Sequence, residues 1–172
     1  VHFGQFLLKS KEKEATTIYF STNICLFSKY DLFLNIMLAL NEIILEEKFI
    51  VQTIKFGMHE VIIKEGELID SSEINLMKKI NLELSNNKPY VLLVNSKEFA
   101  SITKSARELS ASQEMAETTF AKALLVNSLA HKLVGNFYLN VNKPYIKTKI
   151  FTQRDKALAW LNEQLKEINE KK

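Results

Sequence analysis

The sequence predicts an α/β fold: a mixed, mostly parallel sheet packed with helices, in the order ββαβαβαβα. Two observations lead to it. Tyr90–Val94 and Ala123–Val126 are unbroken apolar runs of strand length, as strands buried on both faces require. Segments with helical apolar spacing separate these runs from each other and from a later alternating run, and such strand–helix–strand alternation needs right-handed crossovers and parallel neighbours. An opening hairpin makes the sheet mixed.

The elements follow in order. Phe49–Phe56 is β-branched and roughly alternating, and so reads as a strand. Gly57 turns it into the return strand Glu60–Lys64. Asp70-Ser71-Ser72-Glu73 is a capping-box pattern opening a helix with Ile74, Met77, Ile80 and Leu84 on one face. Asn86, Asn87 and Pro89 end that helix before the Tyr90–Val94 strand. Thr103 is a good N-cap for the next helix, with Ala106, Leu109 and Met115 as its inner positions. After the Ala123–Val126 strand, Ser128 caps a helix carrying Leu129, Leu133, Val134 and Phe137. Tyr145–Phe151 is the last strand. Thr152 or Gln153 opens the last helix, with Ala157, Leu158, Leu161, Leu165 and Ile168 facing in.

These elements form one domain over residues 45–172, behind an N-terminal extension, 1–44. The extension contains IYFSTNICLFSKYDLFLNIMLALNEIIL, whose charged and amide residues make it a poor membrane-spanning helix. Asp31 would cap an amphipathic helix with Leu32, Ile36, Leu40, Ile43 and Ile44 on its apolar face, running to about Glu47. The chain opens on Val, and residues 1–36 read as upstream sequence from an early start or as an atypical extension.

Bulk properties exclude more than they assign. The 172 residues are 47% hydrophobic and 25% charged, as in an ordinary globular chain. A net charge of +3 demands neither nucleic acid nor a membrane as partner. The single cysteine, Cys25, fits a reducing, cytoplasmic compartment. His2, His59 and His131 are far apart, with no Cys or acid at ligand spacing, so no metal is expected. No cofactor is expected, because a Gly-rich phosphate loop is absent, and no catalytic residue is assigned, because no nucleophile–base pair can be assembled.

Two features attract a functional reading. The stretch FASITKSARELSAS places Thr103, Lys104, Ser105 and Arg107 at a strand-to-helix joint. Capping accounts for the hydroxyls, while the basic pair Lys104 and Arg107 would suit an acidic partner or a phosphate. Between Thr118 and Arg154 there are six basic residues and no Asp or Glu: Lys122, Lys132, Lys143, Lys147, Lys149 and Arg154. The simpler reading is solvated lysines on helix faces and a strand edge, where Lys blunts edge pairing.

Residues 49–165 resemble STAS domains, the fold of bacterial anti-sigma-factor antagonists. The resemblance rests on YVLLVNSKEFASITKSARELSAS, on Gly135-Asn136-Phe137-Tyr138-Leu139 with Asn142-Lys143-Pro144, on Thr148-Lys149-Ile150-Phe151 with Ala157-Leu158-Ala159-Trp160-Leu161, and on Lys104-Ser105-Ala106-Arg107-Glu108. Small STAS-like bacterial proteins carry similar motifs. Phospho-regulated STAS antagonists read Asp-Ser-Ser-Gly where this chain has Thr103-Lys104-Ser105-Ala106. The phospho-acceptor position is therefore a lysine.

The resemblance implies a non-enzymatic regulatory domain that binds a protein partner through Thr103, Lys104, Ser105 and Arg107. A second surface would comprise Asn136, Phe137, Tyr138, Lys143 and Lys149. No nucleic-acid partner is expected, and membrane contact would run only through the N-terminal extension. CRAL/TRIO lipid-binding domains are relatives of this fold, which raises the alternative of a pocket for a lipid or another apolar small molecule.

Overall fold

A computed structural model describes residues 2–7, 17–22 and 43–170. His2–Leu7 (β1) and Thr17–Thr22 (β2) form an antiparallel pair. The central sheet has six strands in the order β10-β9-β7-β5-β4-β3. These are Ile43–Leu45 (β3), Phe49–Lys55 (β4), Met58–Ile63 (β5), Tyr90–Ser96 (β7), Thr119–Leu125 (β9) and Lys147–Phe151 (β10). From β5 to β10 all neighbours are parallel, and β3 and β4 extend the sheet antiparallel. The mixed, mostly parallel sheet is therefore as expected. Gly57, at φ +76°, makes the β4–β5 turn, where an L side chain would be strained.

Leu68–Ile69 (β6) and Ser101–Ile102 (β8) form a short parallel pair off the main sheet. It precedes two helices and brings their starts together: Ser71–Leu84 (α1) and Lys104–Ala111 (α2). Gln113–Ala116 (α3), Leu129–Phe137 (α4) and Arg154–Glu170 (α5) complete the five α-helices among the described residues. A π-helical turn, Tyr138–Asn142, follows α4 and ends on Lys143 at φ +47°.

Each face of the sheet has its own core. Met58, Val91, Leu93, Ala121 and Ala123 point to one face and meet Ala157, Leu161, Leu165 and Ile168 of α5, which are buried at the expected positions. Phe49, Val51, Val61, Tyr90 and Leu92 point to the other, against Met77 and Ile80 of α1. Strand alternation produces this division, because successive side chains leave opposite sides of the pleat.

Three expectations change. Ile43 and Ile44 belong to β3, not to a helix running to Glu47; the rest of that segment lies outside the described residues. The strand also straddles the expected boundary between residues 44 and 45. Met115 is buried on α3, because the chain breaks from helical geometry at Ser112 (φ −66°, ψ 159°) and α2 stops. Finally, Leu129, Leu133, Val134 and Phe137 of α4 are 46–74% exposed. Gly135 seats that helix instead: a Cβ there would lie 2.9 Å from Ile150 Cδ1 on β10. Among the described residues, no helix is long and apolar enough to cross a membrane.

Candidate functional site

The expected Thr103–Arg107 site is a helix start. Thr103 Oγ1 accepts from the Ala106 amide at 3.2 Å, as an N-cap does. It also donates to Asp70 Oδ1 at 2.9 Å, and Ser105 Oγ donates to the same oxygen at 3.1 Å. Asp70 is itself the N-cap of α1, accepting from the Ser71 amide at 2.7 Å, while Glu73 Oε2 accepts from the Asp70 amide at 2.7 Å. The hydroxyls thus lock two helix starts to one carboxylate. The Ser71 amide first, then Thr103 and Ser105, hold the Asp70 carboxyl below its usual range.

Lys104 and Arg107 separate. Lys104 is largely exposed and pairs with Glu108 one turn on, at 3.8 Å. Arg107 turns the other way: Nη1 donates to Ile102 O at 3.1 Å and the guanidinium lies 5.4 Å from the centre of the Phe137 ring. The second expected surface divides likewise. Asn136, Lys143 and Lys149 are exposed, whereas Tyr138 is buried. Of the basic run, Lys132, Lys143, Lys147 and Lys149 are exposed as expected; Lys122, on an inner strand, is buried.

Arg107, Tyr138 and Lys122 meet at one feature. A cavity of about 700 Å³ lies between the sheet face opposite α5 and the helices α1, α2 and α4. Val61, Ile63, Leu92, Ile69, Met77 and Ile146 supply much of its apolar wall. Polar groups gather where α2, β9 and the π-turn converge. Lys122 Nζ donates to Ser110 Oγ at 2.7 Å and Ser110 O at 3.2 Å, and lies 3.3 Å from Tyr138 Oη. Tyr138 Oη donates to Ser110 O at 2.9 Å. Three residues of the lining carry a buried polar atom without a hydrogen-bond partner among the described residues: Asn81 Oδ1, Arg107 Nε and His131 Nδ1.

The family of this chain can be stated from its sequence. The family model described as Domain of unknown function (DUF7793) matches residues 53–165. The chain belongs to the DUF7793 family. No curated protein matches it, and neither does any solved structure. The matched stretch contains the whole cavity lining and the parallel part of the sheet, β5 to β10. Among its described residues no cluster of three or more His, Cys, Asp or Glu is arranged to hold a metal.

Sequence reasoning missed two features of this DUF7793 domain. One is Lys122 as a cavity group; the signal was a lysine inside the apolar stretch Phe120–Val126. The other is a buried polar cluster around Glu60, on the α5 side of the sheet. Arg154 grips both Glu60 oxygens, Gln52 Nε2 donates to Oε2 at 2.6 Å and Asn95 Nδ2 donates to Oε1 at 3.1 Å. Burial pushes the Glu60 carboxyl up, but these donors outweigh it and hold the group below its ordinary value. That cluster faces away from the cavity and joins α5 to the sheet.

Proposed function

We propose that this domain is a binding module for an apolar small molecule, held between the sheet and the α1–α2–α4 layer. One observation carries the proposal: the cavity of about 700 Å³. Ligand pockets run from about 300 to 1,000 Å³, whereas ordinary cores leave few voids larger than a water molecule. The cavity reaches the surface beside the exposed Glu98, Phe99 and Ser101, so its apolar wall needs a cover against water. Its mostly apolar wall offers water too few partners to fill it well. An apolar guest meets both requirements. The lone cysteine supports a cytoplasmic setting as part of the same reading.

A neutral fluorescent naphthylamine titrated into the purified 172-residue chain tests this. Saturable one-site binding is expected, abolished by Leu92→Trp, which fills the cavity from its floor. Absence of saturable binding, together with native mass spectra free of any co-purifying small molecule, would rule the module out.

A protein-interaction role of the STAS-like regulatory kind is the second reading. It is favoured by the apolar side chains that α4 presents to solvent, Leu129 at 74% exposure above all. Affinity capture with wild type and with Leu129→Glu, Leu133→Glu discriminates: an unchanged set of captured proteins counts against that surface.

A further inference from the structure

We infer that the occupant of the cavity is an amphiphile: an apolar body carrying one anionic oxygen group, carboxylate or phosphate, received at Lys122 and Arg107. The inference rests on the small-molecule reading above and adds the chemistry of the head group.

Charge balance is the first argument. Lys122 is 6% exposed, and its ammonium meets neutral groups: the oxygens of Ser110 and Tyr138, and the Tyr138 ring, whose centre is 5.5 Å away. No carboxylate among the described residues forms an ion pair with it. A buried charge without a counter-charge is expensive, and buried lysines are ordinarily paired. Arg107 repeats the pattern: it lines the same cavity and makes no ion pair among the described residues, and its Nε–H is buried without an acceptor. Of the other charged groups in the lining, Lys78 is already paired with Glu114 at 2.9 Å, and Glu98 is exposed. The buried Lys122 and the partly buried Arg107 therefore line the cavity without an ion-paired acid among the described residues.

Placement is the second argument. Ser110 follows Arg107 by three residues on α2, so both lie on one helix face. That face meets Tyr138 of the π-turn and Lys122 of β9, and hydroxyl and ammonium donors cluster there. Val61, Ile63, Leu92 and Met77, on β5, β7 and α1, supply an apolar wall elsewhere. The cavity is thus polar on one part of its wall and apolar on the rest, as an acidic head on a hydrocarbon tail requires. An anionic oxygen that reached this corner would give Arg107 an acceptor and neutralise the Lys122 ammonium through charge-assisted bonds.

Calorimetric titration of the full chain with dodecanoate, dodecyl phosphate and dodecanol, each below its micelle concentration, tests this. At least tenfold tighter binding of one anionic form than of the alcohol is expected, and the stronger of the two identifies the head group. Lys122→Met should erase the preference while leaving dodecanol affinity within about twofold, and Arg107→Met should reduce it. Lys122→Arg should retain it, which separates loss of charge from loss of fold. The ligand-free Lys122→Met chain should melt no lower than wild type, because an uncompensated buried charge has been removed. Equal affinity for all three amphiphiles would overturn the head-group assignment and leave the apolar module standing. Failure of all three to bind would remove the module itself.

Discussion

Arg154, the first residue of α5, closes a two-pronged ion pair on Glu60 in the middle of β5. Nη1 meets Oε1, and Nη2 meets Oε2 at 2.6 Å. The Glu60 side chain is fully buried, while the Arg154 side chain is 42% exposed. Because Glu60 would otherwise be a lone charge in the core, the pair fixes where α5 begins on the sheet.

Breaking the pair from the arginine side should therefore be costly. Arg154→Met leaves the Glu60 charge with only Gln52 and Asn95 as donors. A loss of about 3 kcal/mol is expected, the lower end for a buried pair because Arg154 is partly solvated. Glu60→Leu combined with Arg154→Leu should recover most of it. Urea unfolding of the two variants beside wild type measures both effects. Equal destabilisation by the single and double variants would mean that the pair is not what anchors the helix.

Acid should destabilise the fold in two steps. Burial pushes His59 down from 6.5 to about 4, so the folded chain keeps it neutral where the unfolded chain is protonated. Protons then favour the unfolded state between those two values: stability is full above pH 6.5 and falls as pH drops towards 4. The loss from this residue is about 3 kcal/mol by linkage. Glu60 acts lower, since its depressed carboxyl contributes stability above its ordinary value of 4.5 that is lost as pH falls through the folded value. Melting temperatures from pH 8 to 3 should show both, and His59→Gln should flatten only the upper limb.

Phe99 should be a strained residue that serves the cavity. It sits at φ +56°, a conformation that L residues other than Asn and Asp rarely adopt, and it lines the cavity while remaining 78% exposed. Phe99→Gly should raise stability by about 1 kcal/mol through relief of that strain. It should also weaken binding of an apolar probe, because the ring is part of the wall. A gain in stability with unchanged probe affinity would make the ring incidental.

Much of the fold was legible because its signals are local. The Tyr90–Val94 and Ala123–Val126 runs are apolar because both faces of a central strand are covered, and Asp70, Thr103 and Ser128 are caps that hydrogen-bond within three residues. The site was less legible, because it joins residues distant in the chain. Lys122 looks like any surface lysine until β9 is seen between β7 and β10, and Arg107 looks like the partner of Lys104 until the helix turns them apart. The exposed α4 residues misled for the opposite reason: their spacing is that of a packed face, but Gly135 brings a different side of the helix to the sheet.

The cavity also bears on how the molecule responds to compression. Unfolding collapses internal space, so the chain and its solvent together occupy less volume once the cavity is gone. Where its apolar wall keeps water out of this cavity of about 700 Å³, hydrostatic pressure should tip the domain towards unfolding more readily than a close-packed domain of equal stability. A guest that fills the space removes that volume difference along with the cavity, so occupancy should register as resistance to pressure.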